Sequence, residues 1–469
     1  MVFASHVFLY LFLPVFLVVY YLVPFRWRSA VMVLFSSVFY GWWRPDFLVL
    51  VWFSTLLDYG VGKQLVAAQG RGRSGAGWLW MSVGVNLGLL AYFKYANWGI
   101  ESLNTLLEGV GLAPFAWAPV LLPVGISFYT FQTMSYTIDL YRKEVPPARS
   151  LLEFASYVTL FPQLVAGPIV RYATVAHELV HRTHSLRLFS MGALRFMGGF
   201  CKKVLVADPL APLVDAAFAL PEPSLVDAWL GALAYTLQLY FDFSAYSDMA
   251  IGLGLMLGFH FLENFNHPYI SRSVTEFWRR WHISLSTWLR DYLYIPLGGN
   301  RLGERRTYLN LMLTMLLGGI WHGASWNFVL WGLWHGSLLA LERLWRARGG
   351  SGNPGLLPTL LLVMVGWVMF RAPDVGSALR LYQAMLGFSE VGLSDAMHWQ
   401  VTGYALLMVG FGLLWVLLAP RWQSPAEPER GGLPSLQFSP RWLWLLPLFG
   451  LALLRLSAQS FVPFLYFQF

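Results

Sequence analysis

Apolar runs recur along the whole chain, at 7–23, 29–43, 46–62, 76–93, 115–138, 188–206, 227–258, 308–321, 324–342, 355–370, 401–419 and 442–456, and the stretches between them hold most of the charge. A helix needs roughly 20 apolar residues to cross the hydrocarbon of a bilayer, where every backbone group must be satisfied internally. The pattern predicts an all-α polytopic membrane protein with about 11 spanning helices and shorter re-entrant or interfacial pieces. The first run, HVFLYLFLPVFLVVYYLVP, lacks a basic leader and a small-residue cleavage site, so it reads as a retained helix. Segments 68–75, 346–358 and 420–440 read as loops, and no long internal repeat is evident. The chain reads as one membrane-embedded domain, 1–469, whose segment 120–345 differs from its flanks in having His, Asp, Arg, Asn and Gln set into the apolar runs.

Composition agrees: 57% of residues are hydrophobic, 17% aromatic and 12% charged, against about a quarter charged in soluble domains. The formal charge of +8 concentrates at Arg26 and Arg28, at Lys63, Arg71 and Arg73, in 171–187, at Lys202 and Lys203, in 272–306 and at Arg343, Arg346 and Arg348. The positive-inside rule makes these the cytoplasmic candidates. Basic residues set between hydrophobic spans argue against nucleic acid as a partner and for the lipid bilayer. A single cysteine, Cys201, excludes an intrachain disulfide and a Cys-rich metal site, and reads as a small apolar residue at a helix end. No metal is expected.

Chemistry is expected where ionisable groups enter apolar spans, because they are costly there. GGIWHGASWNFVLWGLWHG, 318–336, carries His322 and His335. On one continuous helix, thirteen residues would put them about 20 Å apart on different faces, so they are not expected to form one diad. Gly318, Gly319 and Gly323 offer a place for the helix to break. FWRRWHISLSTWLRDYLYIPLGGN, 277–300, has Trp278, Trp281, Leu285, Trp288 and Tyr292 at helical spacing, with Arg279, Arg280, Arg290 and Asp291 elsewhere, the pattern of an interfacial amphipathic helix. It contains His282, and its arginines suit an anionic donor as well as simple anchoring. In LGALAYTLQLYFDFSAYSDMAIGLGLMLGF, 230–259, Gln238 and Asp242 share one helix face and Ser244 and Asp248 another. Both carboxylates read as supporting groups that orient histidines or cap helices. LLPVGISFYTFQTMSYTIDLYR, 121–142, with Gly125, Ser127, Gln132 and Asp139, reads as core lining.

These strings, with FPQLVAGPIVRY, YFDFSAYSDMAIGLGLMLGFHFLENFNHPY and EFWRRWHISLSTWLRDYLYIPLGGNR, resemble the membrane-bound O-acyltransferases over nearly the whole chain, and most closely their alginate-acetylating branch. One departure is Ala245, where the pattern expects Gly. The resemblance implies a catalytic base at His322 and a second functional histidine at His282, both lining a tunnel. It also implies acetyl-CoA as a cytoplasmic donor and O-acetylation of an exported polysaccharide, with a periplasmic transferase partner and other export components, in the inner membrane of a bacterial cell. Arg279, Arg280, Trp281 and Asn327 are the donor-binding candidates; Asp242, Asp248 and His335 are the supporting ones. Acetylation of cellulose or peptidoglycan, D-alanylation of teichoic acid, and a passive polysaccharide or lipid channel are the alternatives.

The terminal SFVPFLYFQF, 460–469, has four phenylalanines and one tyrosine but no charged side chain. Such an end is worth its hydration cost only if buried. Pro463 stops any helix, and an extended segment from Ser457 to Tyr466 spans about 30 Å, enough to reach mid-membrane. Tyr466 is therefore either part of a hydrophobic plug or an acetyl acceptor.

Overall fold

The computed structural model describes residues 1–422, 443–458 and 464–465, with side chains to 418 in the first segment. Every regular element among the described residues is a helix, α for the most part with short π and 3₁₀ turns. The chain divides into two compact units, Met1–Ala193 with Ala250–Leu262, and Leu194–Met249 with Glu263–Phe469. Ala76–Gly109, a 34-residue helix whose most apolar stretch has a mean hydropathy of 1.3, is long and apolar enough to span a bilayer. Shorter apolar helices run over Val7–Leu22, Leu356–Arg371, Gly403–Leu418 and Leu445–Ala458. Leu34, Val49 and Trp80 in the first unit, and Leu357, Leu407 and Leu454 in the second, are exposed, as lipid-facing side chains are.

In the first unit, helices Leu13–Leu22 and Phe25–Gly41 meet at Pro24 and close on Phe161. The Phe161 ring touches those of Phe12, Phe16 and Phe39 at 5.2–5.4 Å. Asp58 of helix Leu48–Gly70 is fully buried and neutral groups surround it: Ser82 Oγ donates at 2.6 Å and Asn86 Nδ2 at 2.9 Å. The apolar run 115–138 is not helical throughout. Its helix begins at Ile126, because Pro114, Pro119 and Pro123 cannot continue a ladder. Asn97 and Asn104 replace that ladder, bonding the backbone of Val120 and Phe115 through both ends of their amides. Gly125 is required where the helix starts: φ is +77°, and a Cβ would sit 2.7 Å from the Leu164 carbonyl oxygen.

In the second unit, the 32-residue helix Leu225–Met256 runs against the end of Leu186–Cys201, where a Cβ on Gly199 would meet the Ala245 carbonyl at 2.6 Å. Lys202 and Lys203 are not in a loop, as the charge pattern suggested. They continue that helix as a π turn, Lys202–Ala207, and enter the protein because carboxylates await them there. Lys203 Nζ lies 2.8 Å from Asp208 and 2.6 Å from Asp242, all three nearly inaccessible. Cys201 is buried at the helix end, a small apolar residue as expected.

The helices Glu304–His322 and Trp326–Ala347 form an antiparallel hairpin. Glycines set how closely they approach: a Cβ on Gly319 would lie 2.3 Å from the Phe328 carbonyl, and one on Gly332 2.6 Å from that of Met315. The hairpin therefore depends on the missing side chains at these positions, not on apolar periodicity alone.

Candidate active site

His322 is the last residue of its helix, and the break comes where the glycines suggested. Gly323 is extended, and its α-carbon faces the Phe328 ring so closely that a Cβ would overlap it at 2.0 Å. Ser325, also extended, starts the returning helix. Because the chain reverses, the sequence-based separation of the two hairpin histidines does not hold. Both rings contact Trp331, His322 at 5.2 Å and His335 at 4.8 Å. His322 is 8% exposed and also packs against Trp321 and Phe370.

The stretch 277–300 is not a single amphipathic helix. A helix Val274–Arg280, capped by Ser273 accepting from the Glu276 N–H at 3.1 Å, stops at Trp281; Ile283–Leu289 follows, and Arg290–Tyr294 is a π turn. His282 lies at the break in a left-handed conformation, φ 44° and ψ 55°, not within a helix. Trp281, Leu285 and Trp288 face the protein interior and not the bilayer, because the break turns them inward. Trp281 stacks on Phe277 and Tyr269 and touches Trp367 at 4.9 Å, so it serves as core.

A left-handed non-glycine residue costs about 1–3 kcal/mol and persists only where its surroundings over-determine it. Asn264 does this. Its carbonyl accepts from the Ile283 N–H at 2.9 Å, and its Oδ1 accepts from the Ser284 N–H at 3.2 Å and the Ser284 hydroxyl at 2.9 Å. The same Oδ1 lies 3.1 Å from His282 Nδ1. An amide oxygen cannot donate, so the neutral His282 ring carries its proton on Nδ1 and presents Nε2 as the acceptor. Asn264 Nδ2 is anchored in turn on Ser247 Oγ at 3.1 Å. Sequence reasoning missed Asn264; its only trace was its place in the string FLENFNHPY.

Aromatic contact links the histidines. Trp321 lies 6.3 Å from the His282 ring and 5.1 Å from that of His322, and Phe243 stands edge-on to His282 at 4.7 Å. His335 is fully buried against Trp278 at 5.1 Å, with Gly366 leaving room for its Nε2. Neither of its ring nitrogens has a hydrogen-bond partner among the described residues. The surroundings are buried and aromatic, suited to a neutral imidazole acting on a group shielded from water.

The two carboxylates expected to orient histidines pair with cations instead, because a charge in an apolar interior is best offset by an opposite charge. Asp248 binds Arg195 at 2.8 Å and Lys202 at 2.5 Å, and Arg195 also holds Glu263. Asp242 binds Lys203 and accepts the Leu465 N–H at 3.0 Å. Tyr466 lies outside the described residues, but the two residues before it are docked. Phe464 stacks edge-on to Tyr246 at 4.8 Å with Lys203 Nζ 4.5 Å over its ring, and Leu465 is buried. One helical stretch thus holds the tail through Asp242 and Tyr246, and the His282 site through Phe243 and Ser247.

Of the remaining candidates, Arg279 is exposed, and Arg280 is tied to Glu276 at 2.9 Å and to the Asn266 carbonyl at 3.1 Å. Asn327 spends its amide donors on the Met369 and Ala372 carbonyls, fastening the hairpin to the helix Leu356–Arg371. Among the described residues, no group of three or more His, Cys, Asp or Glu side chains is arranged to hold a metal ion.

Residues 142–348 match the membrane-bound O-acyltransferase family. Among similar proteins, the probable alginate O-acetylases of Pseudomonas putida and Azotobacter vinelandii are 52% and 49% identical, with the whole of each chain covered. The peptidoglycan O-acetyltransferase of Helicobacter pylori is 34% identical over 84% of this chain and 81% of its own. Likeness of this extent, together with the family match across the histidine-bearing segment, shows that the chain belongs to the membrane-bound O-acyltransferase family.

Proposed function

We propose that the chain is a multi-pass enzyme of a bacterial inner membrane, and that it takes acetyl from cytoplasmic acetyl-CoA for the O-acetylation of an exported polysaccharide, alginate foremost. The observation that carries this reading is the contact chain His282–Trp321–His322, with the His282 tautomer set by Asn264. In this reading His322 takes the proton of an attacking hydroxyl. The hydroxyl oxygen bonds to the acetyl carbonyl carbon, the C–S bond breaks, and the thiolate leaves with the proton returned by the imidazolium. Arg279 is the better placed of the two arginines to meet an anionic donor, since Arg280 is already paired.

Tyr466 is proposed as the first acetyl acceptor, which then hands the group to a periplasmic partner. Its support is the docking of Phe464 and Leu465 on the helix that also contacts His282. A phenol of pKa near 10 is close to a thiol near 8.5 as a leaving group, so a tyrosyl ester conserves most of the transfer potential. The likeness to a peptidoglycan O-acetyltransferase favours peptidoglycan as the second reading of the polymer.

The test is the acetyl content of the exported polymer in cells carrying wild type, His322→Ala or Tyr466→Phe at matched membrane levels. Loss of about 10²–10⁴ in rate is expected for His322→Ala. Tyr466→Phe keeps the apolar tail but loses acetylation and any acetyl adduct on the terminal peptide. Acetylation near wild-type level in His322→Ala overturns the role of that residue. Acetyl found on peptidoglycan and not on alginate moves the assignment to the second polymer.

A further inference from the structure

The first unit holds a buried arginine, Arg182, beside a partly buried one, Arg28, and the acyl-transfer reading uses neither. Arg28, from the helix Phe25–Gly41, and Arg182, from the loop after Tyr172–Val180, both lie over the Phe25 ring, at 5.9 and 5.4 Å. Arg28 also stacks on Tyr20 at 5.3 Å, and Arg182, only 7% exposed, on Phe259 at 5.1 Å. Gly258 brings the Phe259 segment close: its φ is +83°, and a Cβ there would lie 2.8 Å from the Thr183 carbonyl.

Among the described residues the hydrogen-bond partners of both guanidiniums are neutral. Arg28 donates to His184 Nδ1 at 3.0 Å, and Arg182 to the Leu179 carbonyl at 3.2 Å and Ser29 Oγ at 3.0 Å. The Nε of each is buried without an acceptor. His184 adds no charge. Since Arg28 can only donate, Nδ1 accepts and Nε2–H donates to the Tyr20 hydroxyl at 2.9 Å, which passes its own hydrogen to the Leu257 carbonyl at 3.1 Å. Burial, and then the charges of Arg28 and Arg182, hold this imidazole down at about 4. Glu178, the carboxylate that acts on Arg182 from a distance, has both oxygens engaged by His260, at 2.5 Å from Nδ1 and 3.0 Å from the backbone N–H.

Two guanidiniums thus share a small volume with no carboxylate paired to either. Aromatic faces offset about 0.5–2 kcal/mol each, less than the several kcal/mol that withdrawing an unpaired ion from water costs. Forked N–H donors match the oxygens of a phosphate. Around the pair, Leu22 and Leu186 are 79% and 82% exposed, and Trp27 is 56% exposed, a rim that suits acyl chains and the bilayer interface. We propose that Arg28 and Arg182 hold the phosphodiester of an anionic phospholipid headgroup, with its chains lying along Leu22, Trp27 and Leu186. A zwitterionic lipid carries an ammonium that the second guanidinium repels, so the site selects lipids whose headgroup has no cation.

The experiment is native mass spectrometry of the full chain in mild detergent, titrated with phosphatidylglycerol or phosphatidylcholine of matched chains. Wild type is expected to bind phosphatidylglycerol at least tenfold more tightly. The double variant Arg28→Gln, Arg182→Gln loses that preference, while Arg26→Gln, altered at an exposed neighbour, keeps it. Equal affinity for the two lipids in wild type, or an unchanged preference in the double variant, overturns the proposal. Displacement of phosphatidylglycerol by equimolar inorganic phosphate overturns the lipid assignment in favour of a free-phosphate site. Should the double variant fail to fold, photoreactive phosphatidylglycerol decides on wild type: adducts on peptides spanning 20–30 or 181–188 support the site, and adducts confined elsewhere overturn it.

Discussion

Replacing Asn264 by alanine removes a side chain that holds His282 in its left-handed link. Three hydrogen bonds converge on Oδ1, from His282 Nδ1 at 3.1 Å, the Ser284 N–H at 3.2 Å and the Ser284 hydroxyl at 2.9 Å. Each contributes about 0.5–1.5 kcal/mol net, and a buried donor left without an acceptor costs about 1–3 kcal/mol. Against this stands about 1–3 kcal/mol of backbone strain at His282. With Oδ1 gone the balance reverses: the link relaxes, the ring turns, and its proton is no longer confined to Nδ1. At metal-binding histidines, loss of the partner that orients the ring costs about 10–100-fold, and a loss of similar size is expected per folded Asn264→Ala protein. The assay is transfer from labelled acetyl-CoA in membranes, normalised to protein that is monodisperse on extraction, over a range of pH. Asn264→Asp keeps an acceptor for Nδ1–H and restores part of the rate with an altered pH profile. A thermal midpoint that falls while the rate per folded molecule and the pH profile stay at wild-type values refutes the argument, because Asn264 is then only a structural tie.

In the hairpin, Gly332→Ala sets a Cβ 2.6 Å from a backbone carbonyl that cannot move alone; overpacking of this kind costs about 1–3 kcal/mol, read as a lowered thermal midpoint in detergent. Gly84→Ala, with nothing within 4 Å, leaves that midpoint unchanged. An equal effect of the two substitutions argues against close packing as the reason for Gly332. Lys203→Met strands Asp208 and Asp242 in the interior; breaking a buried pair costs about 3–5 kcal/mol and frees the tail, so carboxypeptidase trims the C terminus faster. Adding Asp242→Asn and Asp208→Asn to Lys203→Met recovers stability, whereas additive losses contradict the pairing.

What the sequence by itself determined is what depends on local chemistry and on the solvent. Apolar runs of spanning length, sparse charge and a single cysteine that rules out an intrachain disulfide point to a helical membrane protein without its coordinates. The cost of ionisable groups in apolar surroundings singled out His322, His282 and His335, and Gly323 marked the break beside His322. Tertiary structure alone decided which groups meet. A hairpin closed on glycines brings His322 and His335 to one tryptophan, because the closeness of two backbones is a property of both helices and periodicity describes only one. Asp242 and Asp248 lie at helical spacing that says nothing of Lys203 and Arg195, whose charges they neutralise. Asn264 is the clearest case: 18 residues separate it from His282. A left-handed backbone, uncommon at any residue but glycine and not readable from periodicity, puts an amide oxygen where it can choose the tautomer of the ring.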